Sequence, residues 1–180
     1  MKVHLPNMLL IAGTGQNTGK TTLACRLIDK FSKYISITAL KTSPHFFDPP
    51  DKKDIIVSYE DIRIVRETNR RTGKDSSRML NAGAFQVYYI MLKNECRLSH
   101  LDILLGFLDD NTPVICESGA LGDIVIPGLL LLLREKGKAK SEKNAEWERV
   151  ADQVITFDGN DFDFDIDNIA FRDNSWILLR

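Results

Sequence analysis

The sequence is poor in cysteine, with three in 180 residues, at Cys25, Cys96 and Cys116. An odd number at wide spacing supplies neither a disulfide framework nor a zinc-ligand pattern. Cys25 and Cys116 stand among apolar neighbours and read as small core side chains. A reducing, cytoplasmic setting is the expectation. Neither sign of charge is in excess: 24 Lys and Arg against 25 Asp and Glu leave a net charge of -1. A general nucleic-acid binder needs a basic surplus, so no nucleic-acid partner is expected. Long apolar runs are missing too. Residues 129–133 are conspicuously apolar, but Arg134-Glu-Lys136 ends the run, whereas a membrane helix needs about 20 apolar residues. Residues 8–12 are too few for the apolar core of a signal peptide, and Lys20 follows soon after. No membrane association is expected. There is no internal repeat.

A chain of this length is about one domain, residues 1–180, and can bury roughly 70% of its unfolded surface without a covalent or metal staple. Residues 8–12 read as a buried strand ending at Gly13. A helix follows over about 19–34, with Leu23, Leu27, Ile28 and Phe31 on one face. Residues 35–41 form a second strand, and the Pro-rich stretch 42–54 a loop. Residues 55–68 fit either a helix or an exposed hairpin strand, in which Ile62 and Ile64 alternate with charges. Asp75 is placed to cap a short helix that runs to Ala82 and stops at Gly83.

Further strands are expected over 85–92, 113–117, 128–134 and 153–157, and helices over 101–108 and 145–151. Residues 135–144 are the least structured stretch. In the run from Asp161 to Asp167, acids alternate with apolar residues, which suggests a strand with four carboxylates on one solvent face rather than a calcium loop. A small hairpin follows, with Trp176 and Ile177 packing back. Strands alternating with helices predict a three-layer α/β fold with a mainly parallel sheet covered on both faces. Ligands of such sheets bind at the carboxyl ends of the strands. Gly13, Lys41 and Glu117 each lie where a strand stops, so they can meet at one edge.

The segment Gly13-Thr-Gly-Gln-Asn-Thr-Gly-Lys-Thr-Thr22 joins the first strand to the first helix. That is the context of a phosphate-binding P-loop. Gly15 and Gly19 let the backbone curl so that the N–H groups of Gln16, Asn17 and Thr18 point inward at an anion. The helix start adds its own free N–H groups. Lys20 reaches the β- and γ-phosphates, the Thr21 hydroxyl ligates magnesium, and Thr22 touches the α-phosphate. The pattern departs from the strict motif: Thr14 stands where the first glycine usually falls, and Gly13 comes one residue early. Glu117 is a second metal ligand or an orienting group for the attacking water. Lys41 complements phosphate charge. In the cluster Lys74, Asp75, Ser76 and Arg78, the two cations suit an anionic ligand. His45, beside Phe46 and Phe47, reads as a packed loop histidine.

The P-loop together with Gly73-Lys-Asp-Ser-Ser-Arg-Met-Leu-Asn-Ala-Gly-Ala84 resembles the molybdopterin-guanine dinucleotide biosynthesis protein B (MobB) family, over roughly residues 7–134. The resemblance implies a P-loop NTPase fold, GTP binding with magnesium, frequent homodimerisation, and a supporting role beside a cofactor-biosynthesis partner protein. The family has histidines after the second strand and Glu-Gly after the later one; this chain has Lys41-Thr-Ser-Pro-His45 and Glu117-Ser-Gly119. Lys41, Glu117-Ser-Gly-Ala and the P-loop also resemble dethiobiotin synthetase, which implies ATP-dependent ligase chemistry on a small molecule. The combined expectation is a weak NTPase in which Lys20, Glu117 and Arg78 act on the phosphates and Asp75 joins the binding site. No Asn-Lys-x-Asp element occurs, so the base, ATP or GTP, is not legible.

Overall fold

The computed structural model describes residues 2–179 apart from 14, 16, 17, 50, 94–97, 107, 110, 136 and 138–141; the side chains of 135 and 142–144 are also not described. It is an α/β fold built on one mixed, mainly parallel eight-stranded sheet, with four α-helices among the described residues. The strands are β1 (Val3–Gly13), β2 (Thr38–Ser43), β3 (Ile55–Ser58), β4 (Ile62–Arg66), β5 (Gln86–Leu92), β6 (Val114–Glu117), β7 (Val125–Glu135) and β8 (Gln153–Phe157). Their spatial order is β3-β4-β5-β2-β6-β1-β7-β8, and only the β3–β4 and β4–β5 pairings are antiparallel. The helices are α1 (Lys20–Phe31), α2 (Asp75–Asn81), α3 (Leu98–Leu105) and α4 (Glu142–Val150).

The apolar runs in the sequence are strands buried on both faces. In β7, Leu129, Leu131 and Leu133 point into one core and Leu130 and Leu132 into the other, because successive strand side chains face opposite ways. The first core lies under α1 and α2, through Leu23, Leu27, Ile28, Met79 and Leu80. The second lies under α3 and α4, through Leu101, Leu104 and Trp147. Helices therefore cover both faces. Cys116 is buried in the second core; burial pushes the Cys25 thiol up to about 11, so it stays protonated at neutral pH. Cys96 lies outside the described residues. No helix among them is long and apolar enough to cross a membrane.

Several expectations need correction. The ambiguous stretch is the β3–β4 hairpin, and Ile62 and Ile64 are buried in it rather than exposed, because β4 lies inside the edge strand β3 and faces the second core. β1 starts five residues before the expected 8, with a register shift between Leu5 and Leu9 that passes Pro6. That irregularity is where a ring lacking an N–H fits a strand. Residues 161–167 are not a strand. Phe162, Phe164 and Ile166 do face the first core, but the acids hold turns: Asp163 accepts from the Thr156 N–H and Asp165 from the Asp167 N–H. The expected loose stretch 135–144 falls largely outside the described residues. β7 reaches Glu135, and α4 begins at Glu142, earlier than the expected 145.

The tail hairpin is present as β9 (Ile169–Arg172) and β10 (Ser175–Leu178). Asp161 pairs with Arg26 and Asp167 with Lys30, so the segment before the hairpin straps the outer side of α1. Trp176 is fully buried between the rings of Phe31 and Phe171, and its indole N–H donates to the Asn7 carbonyl of β1 at 2.9 Å. Trp176→Ala should therefore cost about 3–5 kcal/mol, the range for deleting a large buried aromatic. A urea denaturation curve checks this, and a midpoint equal to wild type would mean that the hairpin does not complete the core.

Candidate functional site

Parallel register brings the site together. Glu117, at the end of β6, lies opposite Ile11 of β1 on one side and Lys41 of β2 on the other. Gly13 ends β1 immediately beyond. The three strand ends meet at one edge, as their sequence positions suggest. A cleft of about 480 Å³ opens there, lined by Gly15, Thr18, Gly19, Lys20, Thr21, Thr22, Lys41, Asp75, Arg78, Glu117 and Phe157. Gln16 and Asn17 lie outside the described residues. Of the other expected site residues, Lys74 and Ser76 are not in this lining and the rest of the phosphate-binding and acidic candidates are.

The turn into α1 depends on two glycines. Gly19 holds a left-handed φ of 83°, which a side chain strongly disfavours. At Gly13, a Cβ would come within 2.7 Å of the Thr18 hydroxyl and 2.8 Å of Lys20 Cδ. The glycine that seemed one residue early is thus the one that lets Lys20 fold back over the loop. The Lys20 ammonium donates to the Gly15 carbonyl and to the Thr18 hydroxyl. Burial holds that ammonium below its usual pKa, outweighing the attraction of Glu117 and Asp75. Its charge is under-compensated, and an anion would relieve it. The cap position of α1 is Gly19, which has no side chain to compete for the helix's first N–H groups.

Opposite lies a compact ion cluster. Glu117, 2% exposed, accepts from the Thr21 hydroxyl at 2.7 Å and from the Lys41 ammonium. Lys41 also pairs with Asp75 at 2.9 Å. Burial alone would lower the Lys41 pKa, but the charges and hydrogen bonds of Glu117 and Asp75 outweigh it and raise the pKa. Burial would likewise raise Asp75, but Lys41, with help from Thr21 and Arg78, holds it below the usual carboxylate range. The signs follow. Asp75 adds stability above the ordinary carboxylate pKa and loses it as pH falls through the lowered value; Lys41 adds stability below its ordinary pKa and loses it as pH rises through the raised one.

The expected cap is the main correction at the site. Asp75 is the first residue of α2, Lys74 is the cap position, and no side chain caps the helix. The ammonium of Lys41 is a stronger partner than a neutral N–H, so the carboxylate turns toward the cleft. Lys74 lies over the Phe47 ring at 4.5 Å and does not line the cleft. Arg78 does, and donates to the Thr22 hydroxyl at 3.2 Å. His45 is exposed, with no ring contact among the described interactions. Phe157 was not foreseen; a single aromatic residue at a strand end carries no signal that separates it from core. Among the described residues no group of three or more His, Cys, Asp or Glu could hold a metal, the 161–167 acids included. Comparison with protein-family models, with curated proteins and with solved structures finds no match.

The cluster predicts a specific thermodynamic asymmetry. Lys41→Met should destabilise the fold by about 3–5 kcal/mol, because it leaves Glu117 buried with an unpaired charge. Adding Glu117→Gln to that variant should recover much of the loss, since both charges are then gone. Urea denaturation of the two single variants and the double variant measures the coupling; purely additive losses would show that the pair is not a unit.

Proposed function

We propose that the protein binds a nucleoside triphosphate, ATP or GTP, with magnesium and hydrolyses it slowly. The observation that carries this reading is the convergence, in one cleft, of an under-compensated Lys20, an uncapped helix start and two carboxylates gathered around one ammonium. The Gly-Lys-Thr-Thr turn between the interior strand β1 and α1, in a sheet covered on both faces, supports assignment to the P-loop NTPase class. Gly15, Thr18 and Gly19 with Lys20 would cradle the β- and γ-phosphates, together with Gln16 and Asn17 from the sequence pattern, and Thr22 would meet the α-phosphate.

The donor set suits magnesium. Thr21, Glu117 and Asp75 offer hard oxygens around the position held by the Lys41 ammonium, and magnesium sites of this kind combine one or two carboxylates with phosphate oxygens and water. Magnesium, when bound, supplies charge neutralisation across the β- and γ-phosphates. Lys41, which pairs with the same two carboxylates, would add its charge beside the phosphates. The Arg78 guanidinium rests on Thr22, so it supports the α-phosphate side more directly than the γ-phosphate where transition-state charge develops. Slow turnover follows from that placement.

The resemblance to the biosynthesis protein B family is supported where its second motif meets the site, since α2 delivers Asp75 and Arg78 to the cleft. A role in cofactor biosynthesis beside a partner protein, with homodimerisation, is proposed on that ground. A second reading, a small-molecule ligase or kinase, is favoured by one observation. A cavity of about 270 Å³ lined by Thr42, Ser43, Pro44, Leu92, Gly119 and Ala120 lies at the carboxyl ends of β2, β5 and β6, next in sequence to Lys41 and Glu117. An NTPase should turn over with no small acceptor added, and a ligase should require one.

Calorimetric titration of Lys20→Ala with ATP and GTP, each with magnesium, should show no binding, while the circular dichroism stays that of wild type. Losing one partner of a desolvated charge pair costs about 2–5 kcal/mol; wild-type affinity in this variant would sink the P-loop assignment. Glu117→Gln should keep triphosphate affinity within about tenfold, since the backbone cradle and Lys20 remain. Its hydrolysis should fall sharply, and an unchanged phosphate-release rate would reduce Glu117 to a structural strand end.

A further inference from the structure

We infer that Phe157 is the stacking platform for the nucleoside base, and so the residue that distinguishes a nucleoside triphosphate from a bare polyphosphate. This rests on the proposed nucleotide reading and adds the part of the ligand that the phosphate cradle cannot recognise. The cleft has two chemically different ends. Lys41, Asp75 and Glu117 stand on the side of β2 and β6. Phe157 ends β8, two strands beyond β1 in the opposite direction, and is the one aromatic side chain among the described lining residues. A triphosphate whose metal-bound end lies at Thr21 and Glu117 directs its nucleoside away from them, toward β8.

The ring is pre-set for that task. It sits directly against the P-loop, since a Cβ on Gly19 would come within 2.8 Å of Phe157 Cγ. Behind it, Phe162 stacks with centroids 4.9 Å apart and planes 33° from parallel, and a backbone bridge joins the same two residues. The Arg26 guanidinium lies over the Phe162 ring at 4.9 Å and is fixed by Asp161 at 2.6 Å. The ring is thus held by a second ring, which a cation holds in turn, so little side-chain entropy remains to be lost when a base arrives. A half-buried phenylalanine at the mouth of an otherwise polar cleft offers a π-face, which accepts any base without hydrogen-bond readout. In the nearby turn, Asp158 Oδ1 accepts from the Asn160 and Asp161 N–H groups, and Asp161 Oδ1 accepts from Arg26 and the Phe162 N–H.

The test compares three ligands with magnesium, ATP, GTP and inorganic tripolyphosphate, on wild type, Phe157→Ala, Phe157→Leu and Phe157→Tyr. Phe157→Leu keeps apolar volume against Gly19 and removes only the ring, so it remains informative should the alanine variant not fold. Stacking lost per base corresponds to about a 5- to 150-fold weaker Kd. Phe157→Ala and Phe157→Leu should show that loss for ATP and GTP alike while tripolyphosphate affinity stays within about twofold, and Phe157→Tyr should match wild type. In the variants, two results overturn the inference: unchanged nucleotide affinity without the ring, or an equal loss for all three ligands, which would make Phe157 a mere buttress of the P-loop. Wild type binding none of the three would refute the nucleotide reading itself. Wild type binding tripolyphosphate as tightly as ATP would refute the platform alone.

Discussion

Glu117 carries a charge at a place where water does not reach, and the architecture of the cleft answers that constraint. A buried carboxylate without partners would be several kcal/mol too costly to keep ionised. Its partners come from two different elements: a hydroxyl from α1, and an ammonium from β2 that is shared with a carboxylate at the start of α2. β2 cannot slide by a residue against β6 without stripping Glu117 of its ammonium, since strand side chains alternate faces with a period of two. The parallel register of β6 and β2 and the seating of α1 are therefore constrained by one charge. The hydrophobic cores provide most of the attraction, but they are far less particular about position than an ion pair.

The same cluster sets the electrostatic condition of the cleft. Lys41, together with Arg78 at 3.7 Å from Asp75, offsets the two carboxylates, while Lys20 is left with a carbonyl and a hydroxyl. Local charge is balanced on one side and unbalanced on the other. A ligand that brings both a cation and phosphates answers both sides at once. A ligand that brings only phosphates must compete with carboxylates standing a few ångströms away, which is a physical reason for metal and triphosphate to favour each other's binding.

Much of this could be read from residues alone, for identifiable reasons. The turn from β1 into α1 was legible because glycines followed by a lysine and threonines after an apolar run mark a strand that stops and a helix that starts. β8 was legible because Gln153–Phe157 is short, apolar and bounded by polar residues. Asp75 was found at the right position with the wrong partner: local capping rules see only the helix that follows, and Lys41 is distant in sequence. Ile62 and Ile64 looked exposed because the charges around them suggested an edge, whereas sheet order puts β3 outside them. The 161–167 run shows the limit of periodicity. Its apolar residues do face inward, yet the acids fold back on backbone N–H groups and no ladder forms. Phe157 was invisible because its importance lies in what stands beside it.

The indole of Trp176 and the carbonyl of Asn7 are 169 residues apart in the chain. During synthesis at about 5–20 residues per second, roughly 10–30 s separate the two ends of that hydrogen bond. Until residues 114–135 are made β1 has neither β6 nor β7 beside it, and until residues 169–178 follow the apolar side of α1 has no hairpin to cover it. The turn between β1 and α1 is made before the strands that flank β1. Nascent chains of this protein should thus present uncovered edges of β1 until β7 is made, an exposure that chaperones acting on unfinished polypeptides are suited to protect.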